Sequence, residues 1–371
     1  MRRSIIATVT VPALLVLLQG PLGAQDTIVV PDTPVCDGCM ELEVVLSFGF
    51  ADDEGALLTR YPLITRLPDG RWVVTEAPVG GTIRIYDSDG SFQRAVEARG
   101  EGPGEYRVVS RLFSARPDGY ALYDPGNDRI SYVTDDFSFQ SSSPFSVPSV
   151  IRIEALSDGS FVVNALAPRT AAQGHMVNVV DSTGSVRASF GGNGTPLDLR
   201  EGPHVRHRVI AVDQSDHIWA GAMEKYELKK YDADGRLLLS VSRKADWFEP
   251  HTNTLPPRDV NSDAPNPKLR ELTVDNNGRI WAVVWVPDPE WRSGVPNLAD
   301  PANTYDEDKF YDSVLEMIDP GSGRVVSRTH TGYALSKVHI VGPEFGEPLY
   351  FRTIQQDDGF IRADILRAVY K

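Results

Sequence analysis

Six times along this chain the same succession returns. It consists of a strand, a turn of the Asp-Gly type, a short and strongly apolar strand, a loop, a third strand ending near Asp, and a second Gly turn into a fourth strand. The first copy runs through Tyr61–Leu67, Asp69-Gly70, Trp72-Val73-Val74, Thr82–Asp87, Ser88-Asp89-Gly90 and Phe92–Ala98. Later copies turn at Asp118-Gly119, Asp158-Gly159, Ser215-Asp216 and Asn277-Gly278. Their apolar runs are Tyr120–Asp124, Phe161–Val163, Ile218–Ala220 and Ile280–Val284. The sixth copy has Lys337–Val341, Leu349–Ile354, the turn Asp357-Asp358-Gly359 and Phe360–Val369, and no fourth strand follows it. Glu41–Phe48, ahead of the first copy, reads as one strand without a partner of its own.

The apolar second strands narrow the choice of architecture. A sandwich strand alternates because one of its faces meets water, whereas Trp72-Val73-Val74 and Ile280–Val284 are apolar on both faces. Parallel α/β sheets also contain such runs, but they need crossover connections of a dozen or more residues, usually helical. Here the connections are short Gly turns. A radial blade packs a neighbour on each face, which suits these strands. The chain therefore reads as an all-β, six-bladed β-propeller of four-stranded blades, with Glu41–Phe48 closing the last blade so that no long edge stays open. The propeller is expected over residues 41–371, with Pro-rich insertions near 249–270 and 287–310. Without these, each repeat averages roughly 48 residues, within the ~40–50 typical of a four-stranded blade.

Ahead of the propeller, Arg2 and Arg3 precede an apolar stretch from Ile5 to Leu18, and small residues end at Ala24. That order predicts a signal peptide over residues 1–24 and export to the periplasm or the exterior. The apolar stretch is short of the ~20 residues a membrane span needs, and no cysteine follows directly to take a lipid. Residues 25–40 form a tail holding Cys36-Asp37-Gly38-Cys39, read as a local disulfide between Cys36 and Cys39 in an oxidising compartment. A formal net charge of −14 argues against nucleic acid, whose phosphates are met by basic surfaces.

The run Arg99-Gly100-Glu101-Gly102-Pro103-Gly104-Glu105-Tyr106, followed by Asp118–Asp124 and Pro125-Gly126-Asn127-Asp128-Arg129-Ile130, resembles an NHL repeat. In such repeats a Gly-x-Gly-x-Gly stretch enters the blade and an Asp…Asn-x-Arg-Ile stretch links its second and third strands. The chain thus resembles the exported bacterial six-bladed, NHL-like propellers. That family mixes binding modules with enzymes, so the resemblance implies an architecture and not a reaction.

Loops joining fourth to first strands and second to third strands leave a propeller on one face, and both insertions belong to those classes. The second carries Trp285, Trp291 and Tyr305 beside Asp306-Glu307-Asp308 and Asp312. Aromatics beside acids suit a glycan, a peptide or a cationic group, and the carboxylates also suit Ca²⁺. When the blades are aligned on their first turn, Arg111, Arg208 and Arg270 share one offset near the channel mouth. There they form either a collar for carboxylate or phosphate or a ring of salt bridges between blades. His204, His207 and His251 fall on the same face, and three imidazoles can hold zinc with an open position.

The sequence has no Gly-x-Ser-x-Gly elbow, phosphate-binding Gly-Lys-Ser/Thr loop or His-Glu-x-x-His. It therefore reads as an exported, non-catalytic binding propeller for a peptide, glycan, protein or small anionic partner. The alternative is a metal-dependent propeller enzyme, a lyase or lactonase-type hydrolase working at the channel mouth.

Overall fold

The computed structural model describes residues 27–50, 54–59, 61–76, 82–114, 119–166, 174–192, 194–202, 205–295, 309–332, 338–341 and 346–371. The expected signal peptide, His204 and Tyr305 lie outside them.

Three strands come first: β1 (Thr27–Val30), β2 (Cys36–Asp37) and the longer β3 (Met40–Phe48). Blade one is then β4 (Pro62–Arg66), β5 (Trp72–Glu76), β6 (Thr82–Tyr86) and β7 (Phe92–Glu97). Blade two is β8 (Arg111–Ser114), β9 (Tyr120–Asp124), β10 (Arg129–Val133) and β11 (Phe139–Pro144). Blade three is β12 (Arg152–Ala155), β13 (Phe161–Asn164), β14 (Val177–Val180) and β15 (Val186–Phe190). Blade four is β16 (Arg208–Val212), β17 (Ile218–Ala222), β18 (Glu227–Tyr231) and β19 (Leu237–Arg243). Blade five is β20 (Lys268–Val274), β21 (Ile280–Pro287), β22 (Tyr311–Asp319) and β23 (Arg324–Thr331). Blade six takes β24 (His339–Ile340), β25 (Leu349–Gln355) and β26 (Ile361–Tyr370), with β3 as its fourth strand. The six-bladed propeller read from the repeat is the observed fold.

Burial follows position in the blade. The second strands are buried along both faces: β5, β9 and β13 are buried throughout, and β21 at every position but the last. The outermost β11 is exposed at five of its six positions. The core is divided into six apolar clusters, one between each pair of adjacent blades. The tight turns need their glycines. At Gly119, φ is +112° and a Cβ would collide with the Val133 carbonyl.

Closure is antiparallel and long. β3 pairs with β26 from Phe48↔Ala363 to Met40↔Tyr370, joining the two ends of the propeller chain. The preceding segment, expected as a tail, contains strands. β1 adds in parallel to β19, with Thr27 opposite Ser240 and Val30 opposite Arg243, and β2 adds to β23 at Cys36↔Ser327. The outer strands of blades four and five offered free backbone edges, and these segments cover them. Between β1 and β2, Asp32 accepts from Arg243 Nη2 at 2.6 Å and from Arg328 Nη1 at 2.7 Å, tying blade four to blade five. Arg243 also meets Glu316 through Nε (3.0 Å) and Nη2 (2.6 Å), with both side chains fully buried. Cys36 and Cys39 form a disulfide beside this junction.

Candidate functional site at the channel mouth

A channel of about 1890 Å³ runs between the blades, lined by their innermost strands. Those strands all start at one end, where the inter-blade loops gather, and that end is basic. Arg111, Arg152 and Arg208 each open an innermost strand, and Arg270 sits in β20 where a bulge between Leu269 and Glu271 shifts the register. All four line the channel. The structure thus brings together the three arginines singled out by spacing and adds Arg152.

Their partners differ. Arg111 donates from Nη2 to Glu154 on the next blade at 2.7 Å, the inter-blade salt bridge that was one of its two readings. Arg152 reaches to blade five, donating to the Arg270 carbonyl at 2.7 Å and lying 4.0 Å from the Glu271 carboxylate. Arg208 donates to the His207 carbonyl at 2.8 Å. Arg270 is different: its guanidinium carbon lies over the Trp285 ring, 4.2 Å from the centroid, and its Nε is buried without an acceptor among the described residues. Burial and the neighbouring Arg152 charge lower its pKa from the ordinary arginine value.

Two acids of the channel lining pair with these cations, and the buried Glu224 adds its charge beside Arg208. Glu154 holds Arg111. Glu271 accepts from the Ile340 backbone N–H and pairs with His339 Nδ1 at 2.6 Å. Burial alone would raise the Glu271 carboxyl, but His339 and Arg152 outweigh it and hold the group at about 2. The excess positive field is felt at His207. Burial, with Arg270, Arg206, Arg152 and Arg208 around it, lowers that imidazole to about 4. It is neutral at neutral pH.

Aromatic rings complete the mouth on blades five, six and one. His339 stacks on Phe351 with ring centroids 5.1 Å apart, and meets Trp285 and Tyr61 edge-on at 5.7 and 5.5 Å. Phe351, His339 and Tyr61 all line the channel, and Tyr61 is 40% exposed.

The other expected residues fall elsewhere. Trp291 is 3% exposed, sits in a short turn over Trp291–Gly294, and packs with Val295, Phe310 and Val338 between blades five and six. It is a core residue of the insertion's base. His207 lines the channel, but His251 does not; its Nε2 lies 2.6 Å from the Pro267 carbonyl and its ring lies beside Phe248. Among the described residues no three His, Cys, Asp or Glu side chains come together as a metal-ligand group.

The NHL-like run in blade two is a clasp. Arg129 donates to the carbonyls of Glu101, Gly102 and Glu105, and Asn127 Nδ2 donates to that of Gly100. Asp124 accepts from the backbone N–H groups of Arg107, Val108 and Gly126. Most of the polar groups of this motif are spent on its own backbone, although Arg129 Nε is buried without a partner among the described residues.

Comparison with known proteins adds architecture. Neither a family model nor a curated protein matches the sequence. Among solved structures, the chain is similar to an exported protein of Bacteroides fragilis, with TM-score 0.58 and 11% identity over 93% of this chain and 99% of that one. What they share is the fold. A member of the DUF4221 family from Bacteroides vulgatus is similar in the same way, with TM-score 0.57 and 12% identity over 90% and 99% of the two chains. Virginiamycin B lyase from Staphylococcus aureus superposes less well, with TM-score 0.45 and 9% identity over 89% and 100%. No helix among the described residues is long and apolar enough to cross a membrane.

Proposed function

We propose that the protein is an exported binding propeller that takes a small anionic ligand at the loop-rich mouth of its channel. One observation carries this reading: the half-buried Arg270 has a buried Nε with no acceptor among the described residues, in a mouth lined by four arginines and two ion-paired carboxylates. A buried N–H without an acceptor is costly, and a bound carboxylate would supply both an acceptor and the opposite charge. The export part rests on the sequence pattern of residues 1–24 and on the exported Bacteroides propeller of the same fold.

Calorimetric titration with carboxylates and inorganic phosphate tests the reading on the full propeller and on Arg270→Ala. A hydrogen bond to a charged group is worth about 1.5–3 kcal/mol, so the variant should bind at least ~10-fold more weakly. Equal affinity in both proteins, or no binding by either, would refute it.

A further inference from the structure

The mouth has two unlike halves, and they meet at one residue. Blades two to five contribute Arg111, Arg152, Arg208 and Arg270, while blades five, six and one contribute Trp285, His339, Phe351 and Tyr61. Trp285 is the seam, with Arg270 on its face at 4.2 Å and His339 at its edge at 5.7 Å.

Given the anion-binding reading above, the geometry points to an aryl carboxylate as the ligand, its carboxylate on the Arg270–Arg152 side and its ring against Tyr61. Two features select this class. First, Tyr61, His339 and Phe351 already form an edge-and-face cluster with centroid spacings of 5.1–6.1 Å, the arrangement in which a further ring adds favourably. Second, Tyr61 is the one of these three rings with substantial exposure, at 40%, so a ring arriving from the channel has a surface to cover. The channel, at about 1890 Å³, is far larger than such a ligand, so the ligand fills only the mouth.

Three acids separate this inference from the reading beneath it: 3-phenylpropionate, hexanoate and glucuronate, titrated calorimetrically into the full propeller while Trp fluorescence is followed. The expected result is phenylpropionate at least ~10-fold tighter than the other two. In Tyr61→Ala, with its melting temperature checked, the ratio to hexanoate should fall below about threefold. If all three acids bind alike and all are weakened by Arg270→Ala, the anion site stands and the aryl assignment is wrong. If none binds, both fail together.

Discussion

Removing the Glu316 carboxylate should be among the most damaging single changes the protein can suffer. Glu316 and Arg243 are each fully buried and joined by two hydrogen bonds of 2.6 and 3.0 Å. Burial alone would lower the pKa of the Arg243 guanidinium, yet Glu316 and Asp32 raise it above the ordinary arginine value. In Glu316→Ala the guanidinium stays buried with only Asp32 opposite, and breaking such a pair costs about 3–5 kcal/mol. With an unfolding entropy of about 2 cal/mol/K per residue, that becomes a melting temperature about 4–7 °C lower for a chain of this size. Arg243→Met combined with Glu316→Leu removes both charges and should recover most of the loss, since apolar replacements of a buried pair are often neutral. Asp32 keeps Arg328 in the double variant. Differential scanning calorimetry of Arg243→Met, Glu316→Leu and the double closes the cycle. A Glu316→Ala protein melting within about 1 °C of the parent, or a double variant worse than the two singles added, would refute the reasoning.

Deleting residues 40–48 strips the last blade of its outer strand and bares β26, so the melting temperature should collapse; an unchanged one would disprove closure through β3. Asp312 is buried against Asp288, and burial first, then the Asp288 charge, pushes its carboxyl up to about 6. An acid whose folded pKa lies above its unfolded value binds more protons when folded, so its contribution to stability declines as pH rises from about 4 to about 6. Asp312→Asn should therefore melt higher than the parent at pH 7.5 and nearly level with it at pH 4, which parallel thermal scans would check. Arg129→Ala unties the carbonyls of Glu101, Gly102 and Glu105, and limited proteolysis should then cut within residues 99–106 at a rate the parent does not show.

The ring was legible because its signals are local. Asp-Gly turns punctuate the chain, and runs such as Trp72-Val73-Val74 are apolar on both faces only where a neighbour packs on each side. Arg111, Arg208 and Arg270 were legible for the same reason, each standing eight residues before the aligned turn position. Arg152 stands seven before Gly159, so the same alignment passes it by, although it opens its strand just as the others do. Glu271 and His339 are 68 residues apart, and Tyr61 and Phe351 farther still; nothing in their local sequence marks that ring closure sets them side by side. Trp291 misled for the opposite reason. Its neighbours in sequence are polar and Pro-rich, yet it is buried among Val295, Phe310 and Val338. Strands β1 and β2 escaped notice because they exist only by pairing with edges more than 200 residues away.

The path of residues 27–48 also fixes an order of assembly. As the chain emerges, these first strands have nothing to pair with until Arg243, then Ser327, and finally Tyr370 have been made. Their pairings span almost the entire length, and such distant contacts slow folding. The first strands of the fold must wait for its last. A nascent chain lacking its last forty residues would carry an unmatched β3 and an open fifth blade, and so would remain unfinished and easily threaded. That delay makes the pairing of β26 with β3 the step that commits the ring.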